Sequence, residues 1–101
     1  MQFTITPSMD ALLIALTGTF RFDDHELFKG VLKAIDKFDG KGITFDLAGT
    51  TALDSAGVGM LLLAHERAKK QNKVVSLRRA TGSVQQVLDV TKIDQIMTVL
   101  P

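Results

Sequence analysis

A stripe of apolar residues at helical spacing, Leu27, Phe28, Val31, Leu32, Ile35 and Phe38, runs almost directly into a short strand-like run, Ile43–Leu47. The succession then repeats. A second helix is expected from about Ala56 to Gln71, a Val-rich strand at Lys73–Leu77, a short helix at Gly82–Val90 and a terminal strand at Met97–Leu100. Ahead of them Phe3–Ile5 alternates, and Leu12–Leu16 is an apolar run ended by Gly18; with a turn at Ser8–Asp10 the two read as a hairpin. Helices and strands in alternation bury their apolar faces against each other only by packing the helices on a sheet. The expected fold is therefore α/β, a mixed β-sheet of four to five strands with helices packed against it, one domain over residues 1–101. Asp23 with Glu26, or Asp24, caps the first helix, Gly40 stops it, and Thr81 or Ser83 caps the last. Ala48–Ala52 reads as a loop of small residues.

Charge and composition exclude several functions. Twelve Lys and Arg against eleven Asp and Glu leave a net charge of +1, too little for a nucleic-acid ligand, which needs a concentrated basic face. With no cysteine there is no disulfide framework, thiolate metal site or thiol nucleophile. Met1–Pro7 has no basic segment leading an apolar one, and the uninterrupted apolar stretches, Met60–Ala64 among them, are far short of a membrane span. A soluble, cytoplasmic chain without membrane insertion is expected.

The stretch richest in chemistry is Asp46-Leu47, then Leu53-Asp54-Ser55-Ala56-Gly57-Val58-Gly59, then the apolar helix. A helix start presents unpaired N–H groups and the positive end of the macrodipole, so an oxyanion, or a phosphoryl group on Ser55, is stabilised there. The alternative is structural: Asp54 or Ser55 is an N-cap, and Gly57 and Gly59 allow close packing on the sheet. On a helical wheel Val58, Leu61, Leu62, Ala64, His65 and Ala68 face the sheet. Leu63 falls in the charged arc with Arg67 and Lys70, and Met60 lies beside it, which makes those two a candidate docking patch.

In element order and in the Asp54-Ser55-Ala56-Gly57 motif the chain resembles the STAS domains, the sulfate transporter and anti-sigma factor antagonist family. Thr17-Gly18 matches the glycine that ends the family's second strand, and Val87–Asp94 resembles its final helix. The segment Phe20–Phe28 resembles small single-domain antagonists of bacterial signalling. The resemblance implies a STAS-like sheet, a phosphorylated serine at Ser55, and two enzymes acting on it: an anti-sigma factor that is also a serine kinase, and a serine phosphatase. It implies a partner surface around Asp54, Ala56 and Gly57, joined by Asp23, Asp24 and His25; Met60 and Leu63, from the wheel, are the further candidates on the second helix. The chain departs from the family in placing Arg21 where an acid is usual, with Asp23 or Asp24 as the replacement, and Ala56 where a second serine is common.

Other motifs are incomplete. His65-Glu66 lacks the second histidine of a zinc-protease helix, which is Lys69 here; Gly57-Val58-Gly59 lacks the third glycine of a dinucleotide loop; Leu53 rules out a hydrolase elbow. No catalytic set, metal site or cofactor is expected. The leading function is a phospho-switched binding module, an anti-sigma factor antagonist. The alternative is a constitutive scaffold or accessory subunit of a signalling or lipid-transport assembly.

Overall fold

The computed structural model describes residues 1–101. Strand β1 (Gln2–Pro7) and strand β2 (Ala11–Phe20) form the expected hairpin, antiparallel with Gln2 opposite Thr17 and Pro7 opposite Leu12. A 3-10 turn at Phe22–Asp24 leads into helix α1 (His25–Lys37). Strand β3 (Gly42–Asp46) and strand β4 (Thr50–Leu53) follow, then helix α2 (Ser55–Lys70), strand β5 (Val74–Arg78), helix α3 (Gly82–Thr91) and strand β6 (Thr98–Leu100). The strand order is β1-β2-β3-β5-β6, parallel from β2 onward, with β4 also paired to β2. Each helix-bearing crossover steps the same way across the sheet, and such crossovers are right-handed, so all three helices lie on one face.

The sheet has six strands, one more than the sequence pattern indicates. The added strand is β4, in the segment read as a loop of small residues. Its residues are too short a run to show periodicity. They are extended because β2 offers them partners: β3 pairs with Ala11–Ala15, the chain turns at Ala48–Gly49, and β4 resumes alongside Gly18–Phe20. Gly18 therefore does not end β2. It takes φ +82, a left-handed conformation open to glycine, and the register with β4 shifts between Gly18 and Thr19.

The core lies between the helices and the facing side chains of the sheet. Leu12, Ile14 and Leu16 of β2, Ile43 and Phe45 of β3, and Val75 and Leu77 of β5 meet Phe28, Val31, Leu32 and Ile35 of α1 and Val58, Leu61, Ala64 and Ala68 of α2. Phe28 stacks between Phe20 and Phe45 at 5.4 and 6.2 Å. Each fully buried Leu, Ile or Phe contributes about 1.5–3 kcal/mol. Of the stripe expected on α1, Leu27 is exposed and Phe38 is the half-buried residue that ends the helix, two positions before Gly40. The expected capping box is absent: Glu26 pairs with Lys29, and only the acid's half of such a box forms, two residues earlier, where the Arg21 N–H donates to Asp24 Oδ2 at 2.9 Å and the Asp24 N–H donates to the Arg21 backbone carbonyl.

Ion pairs secure the joints between elements. Asp46 at the end of β3 is buried and accepts from the Ala48 N–H at 2.9 Å and from both Arg78 and Arg79. Burial pushes its carboxyl up, but those donors outweigh burial and hold it below the ordinary range. Between the two long helices, Arg67 grips Asp36 with two nitrogens, Nη2 at 2.6 Å and Nε at 2.9 Å, and Gln71 adds a bond at 2.7 Å. Lys73, itself buried, donates to the Ile35 carbonyl at 2.6 Å and so caps the end of α1 from across the seam. The Arg67 guanidinium is the main reason the Asp36 carboxyl is lowered to about 2.

A carboxyl lowered on folding contributes stability above its ordinary value of 3.8, and that contribution is lost as the pH falls through about 2. Thermal melting followed by circular dichroism should therefore show a midpoint that falls between pH 5 and pH 2. Asp36→Asn should melt lower than the parent at pH 5, with the gap closing toward pH 2. Coincident midpoints at pH 5 would show that the Asp36–Arg67 joint contributes nothing measurable.

Candidate functional site

Strand β4 delivers its last residue, Leu53, into the core and leaves Asp54 extended, at φ −103 and ψ −179, before the chain enters α2. Asp54 is the N-cap. Its Oδ1 accepts the Gly57 N–H at 2.8 Å, and its backbone carbonyl accepts from Val58 at 3.1 Å. This decides between the two capping candidates. Ser55 is the first helical residue, exposed, with a hydroxyl that makes no hydrogen bond within the chain. The Ser55 and Ala56 N–H groups have no acceptor, so an anion formed on the Ser55 oxygen would meet the positive end of a 16-residue helix.

The two glycines differ in role. A Cβ on Gly57 would lie 2.5 Å from Leu53 Cδ1 and 2.7 Å from the Phe20 carbonyl oxygen. Only a glycine lets the first turn of α2 come this close to the end of β2. A Cβ on Gly59 would meet nothing within 4 Å, so the expectation that both glycines serve close packing holds for Gly57 alone. Gly59 leaves the exposed side of the helix flat one turn beyond Ser55.

The second oxygen of Asp54 reaches the other segment of the predicted surface. Asp54 Oδ2 accepts the Phe22 N–H at 3.4 Å, which ties the 3-10 turn Phe22–Asp24 to the start of α2. The two acidic candidates there separate. Asp23 is exposed with no partner, while Asp24 is committed to the fold, taking the Arg21 N–H on one oxygen and the Met1 amino group at 3.0 Å on the other. Burial raises the Asp24 carboxyl, but these bonds more than offset it and its pKa is lowered. His25 is exposed and stacks against Phe22, ring centres 6.4 Å apart.

Phe22 is the surface residue that sequence reasoning missed. It is 69 % exposed, beside the helix start that carries Ser55. The available signal was its position off the helical stripe, between Phe20 and Phe28, which are both buried. Along α2, Leu63 is 46 % exposed, as the wheel indicates, but Met60 is buried at 5 % and joins the core. That corrects the placement of Met60 on the surface patch: α2 is packed against α1 and the 3-10 turn as well as the sheet, so its buried face is wider than a wheel for a helix lying on a sheet indicates. The structure thus gathers Asp54, Ser55, Ala56 and Gly57 in one turn, sets Phe22, Asp23 and His25 beside them, and places Leu63 two turns along. No group of three or more His, Asp or Glu side chains converges to hold a metal, and no helix is long and apolar enough to cross a membrane.

Replacing Gly57 by Ala should cost about 1–3 kcal/mol, the range for overpacking, while Gly59→Ala should stabilise by about 0.5–1 kcal/mol, the glycine penalty in an open helix. Urea denaturation reads both; equal shifts would mean that the Gly57 contact is not tight. Asp54→Ala removes the cap and the bond to Phe22 and should cost about 1 kcal/mol or somewhat more in the same assay. An unchanged midpoint would deny Asp54 its capping role.

This geometry has close counterparts. A family model described as "Mlab, STAS domain" matches residues 3–101. A STAS-domain containing protein of Pseudomonas aeruginosa strain UCBPP-PA14 is 30% identical over 101 residues, covering 98% of this chain and 99% of that protein. Among solved structures, an anti-sigma factor antagonist from Mycobacterium paratuberculosis superposes with a TM-score of 0.86 at 13% identity, over 99% of this chain and 85% of that one. SpoIIAA, an anti-sigma factor antagonist, superposes in its unphosphorylated form with a TM-score of 0.81 at 17% identity, over 97% of this chain and 87% of that one. At these identities the structures establish a shared fold. The match along almost the whole sequence goes further, and on it the chain belongs to the STAS-domain family.

Proposed function

We propose that this protein is an anti-sigma factor antagonist whose binding of a partner is switched by phosphorylation of Ser55. The observation that carries the reading is the division of labour at the helix start. Asp54 does the capping, and this leaves the adjacent Ser55 hydroxyl exposed and unbonded. A serine needed as a cap would have its oxygen turned inward onto the backbone. The structural likeness to SpoIIAA, solved in both unphosphorylated and phosphorylated forms, supports the same reading.

The partner is an anti-sigma factor with serine kinase activity, and it supplies ATP and Mg²⁺. The Ser55 oxygen attacks the γ-phosphorus, its proton passes to a carboxylate base of the kinase, and the bond from that phosphorus to the β–γ bridging oxygen breaks to release ADP. A serine phosphatase restores the hydroxyl. The protein itself contributes the acceptor and the surface, with no catalysis of its own. A phosphoryl group adds about −1.5 to −2 charges at neutral pH. The helix dipole favours that charge in the free protein, whereas a partner lying flat over Ser55, Gly59 and Phe22 would have to desolvate it beside the Asp54 carboxylate. Unmodified protein therefore binds and modified protein is released. Such a module works in the cytoplasm, in the control of transcription.

A second reading has an observation of its own. Leu63 is exposed two turns along α2 from the hydroxyl, and a partner could seat there permanently, as in an accessory subunit of a larger assembly such as a lipid-transport complex.

Intact mass with fragment mapping, on protein isolated from its own cells in growth and under stress, should show a phosphoryl increment on Ser55 that changes with condition. In a binding titration with the co-purifying partner, Ser55→Asp should weaken affinity at least tenfold, about 1.4 kcal/mol, and Ser55→Ala should match the unmodified protein. Unmodified protein in every condition, with equal affinity of both variants, would favour the permanent subunit.

A further inference from the structure

We infer that the seam between α1 and α2 around Leu63 is a docking groove for an acidic amphipathic helix of a partner protein. The groove is a shallow depression of about 310 Å³ lined by His25, Lys29, Leu32, Lys33, Leu63 and Arg67. Its apolar elements are Leu32, which forms the floor, and Leu63, which stands 46 % exposed at the rim. Apart from His25, every polar side chain lining it is cationic.

The pairing of those cations decides what the groove accepts. Arg67 is held by Asp36 across the seam. Lys29 meets only Glu26 on its own helix, an exposed pair of little worth that a partner carboxylate can displace. Lys33 is exposed and makes no ion pair. A segment with a leucine-type residue against Leu63 and acids toward Lys29 and Lys33 is complementary, and a basic segment is repelled. An amphipathic helix has this layout, with apolar anchors on one face and charge at its flanks. His25 stacks on Phe22, so the groove is continuous with the surface beside Ser55. The inference rests on the proposed function only in assigning the helix to a protein partner; the groove does not require Ser55 to be modified.

The probe is a synthetic helix of leucine, alanine and glutamate, leucine at positions i and i+4, compared with a version carrying lysine for glutamate. In amide-resolved NMR titrations the glutamate peptide should shift the signals of His25, Lys33 and Leu63, and added salt should weaken it. Lys33→Glu and Leu63→Asp, each checked for an unchanged fold by circular dichroism, should each weaken it about tenfold. Ser55→Asp and Ser55→Ala test the phosphorylation switch separately, with the natural partner. No shift with the glutamate peptide, equal binding of the lysine peptide, shifts centred elsewhere, or binding of anionic phospholipid vesicles in place of the peptide would each overturn the inference.

Discussion

The first turn of α2 lies almost on the backbone of β2, and most of the candidate surface depends on that approach. At Gly57 there is no room for a side chain between the helix, the Phe20 carbonyl and Leu53. Because the helix is seated there, Asp54 comes within reach of both Gly57 and Phe22, and the 3-10 turn is drawn against the helix start. The same seating drives Leu53, Val58 and Leu61 into the core. Move the helix out by the width of a methyl group and the cap, the turn and the flat surface at Ser55 no longer align.

The remaining geometry follows a division between apolar and charged contacts. Hydrophobic burial supplies the cohesion, through one continuous core of 23 residues. Charged contacts set positions. Asp46 with Arg78 and Arg79 ties the ends of β3 and β5, and Asp36 with Arg67 sets the spacing of α1 and α2. A surface pair such as Asp36–Arg67 is weak in itself, but the bidentate Arg67 contact is directional and fixes the seam between α1 and α2. No buried side-chain nitrogen or oxygen is left without a partner.

Much of the fold was legible from periodicity. The α1 stripe, the alternation of helix and strand and the terminal β6 are each carried by apolar residues whose spacing has one reading. The Asp54-Ser55-Ala56-Gly57 motif marked the helix start that carries the candidate site, and the helix begins within a residue of its expected position. Strand β4 was not legible, because four residues are too few to set a side-chain period, and the partners that hold them, β2 and the Leu16 carbonyl that takes the Thr50 hydroxyl, are more than thirty residues away. Met60 was misplaced because a wheel describes one helix in isolation, and the neighbouring elements that bury Met60 are remote in sequence. Phe22 was passed over because an exposed aromatic looks the same in sequence as a core one.

The order of elements and the chemistry of the helix start were determined by the sequence alone, because side-chain spacing and residue type act over a few neighbouring positions. Which of two adjacent residues caps the helix, which glycine is sterically required and which apolar side chains stay in water were decided only by the tertiary structure. Those outcomes depend on where Phe20, Phe22 and Leu53 arrive in space. Two of the three belong to a segment more than thirty residues earlier in the chain, and no local pattern carries information across that distance.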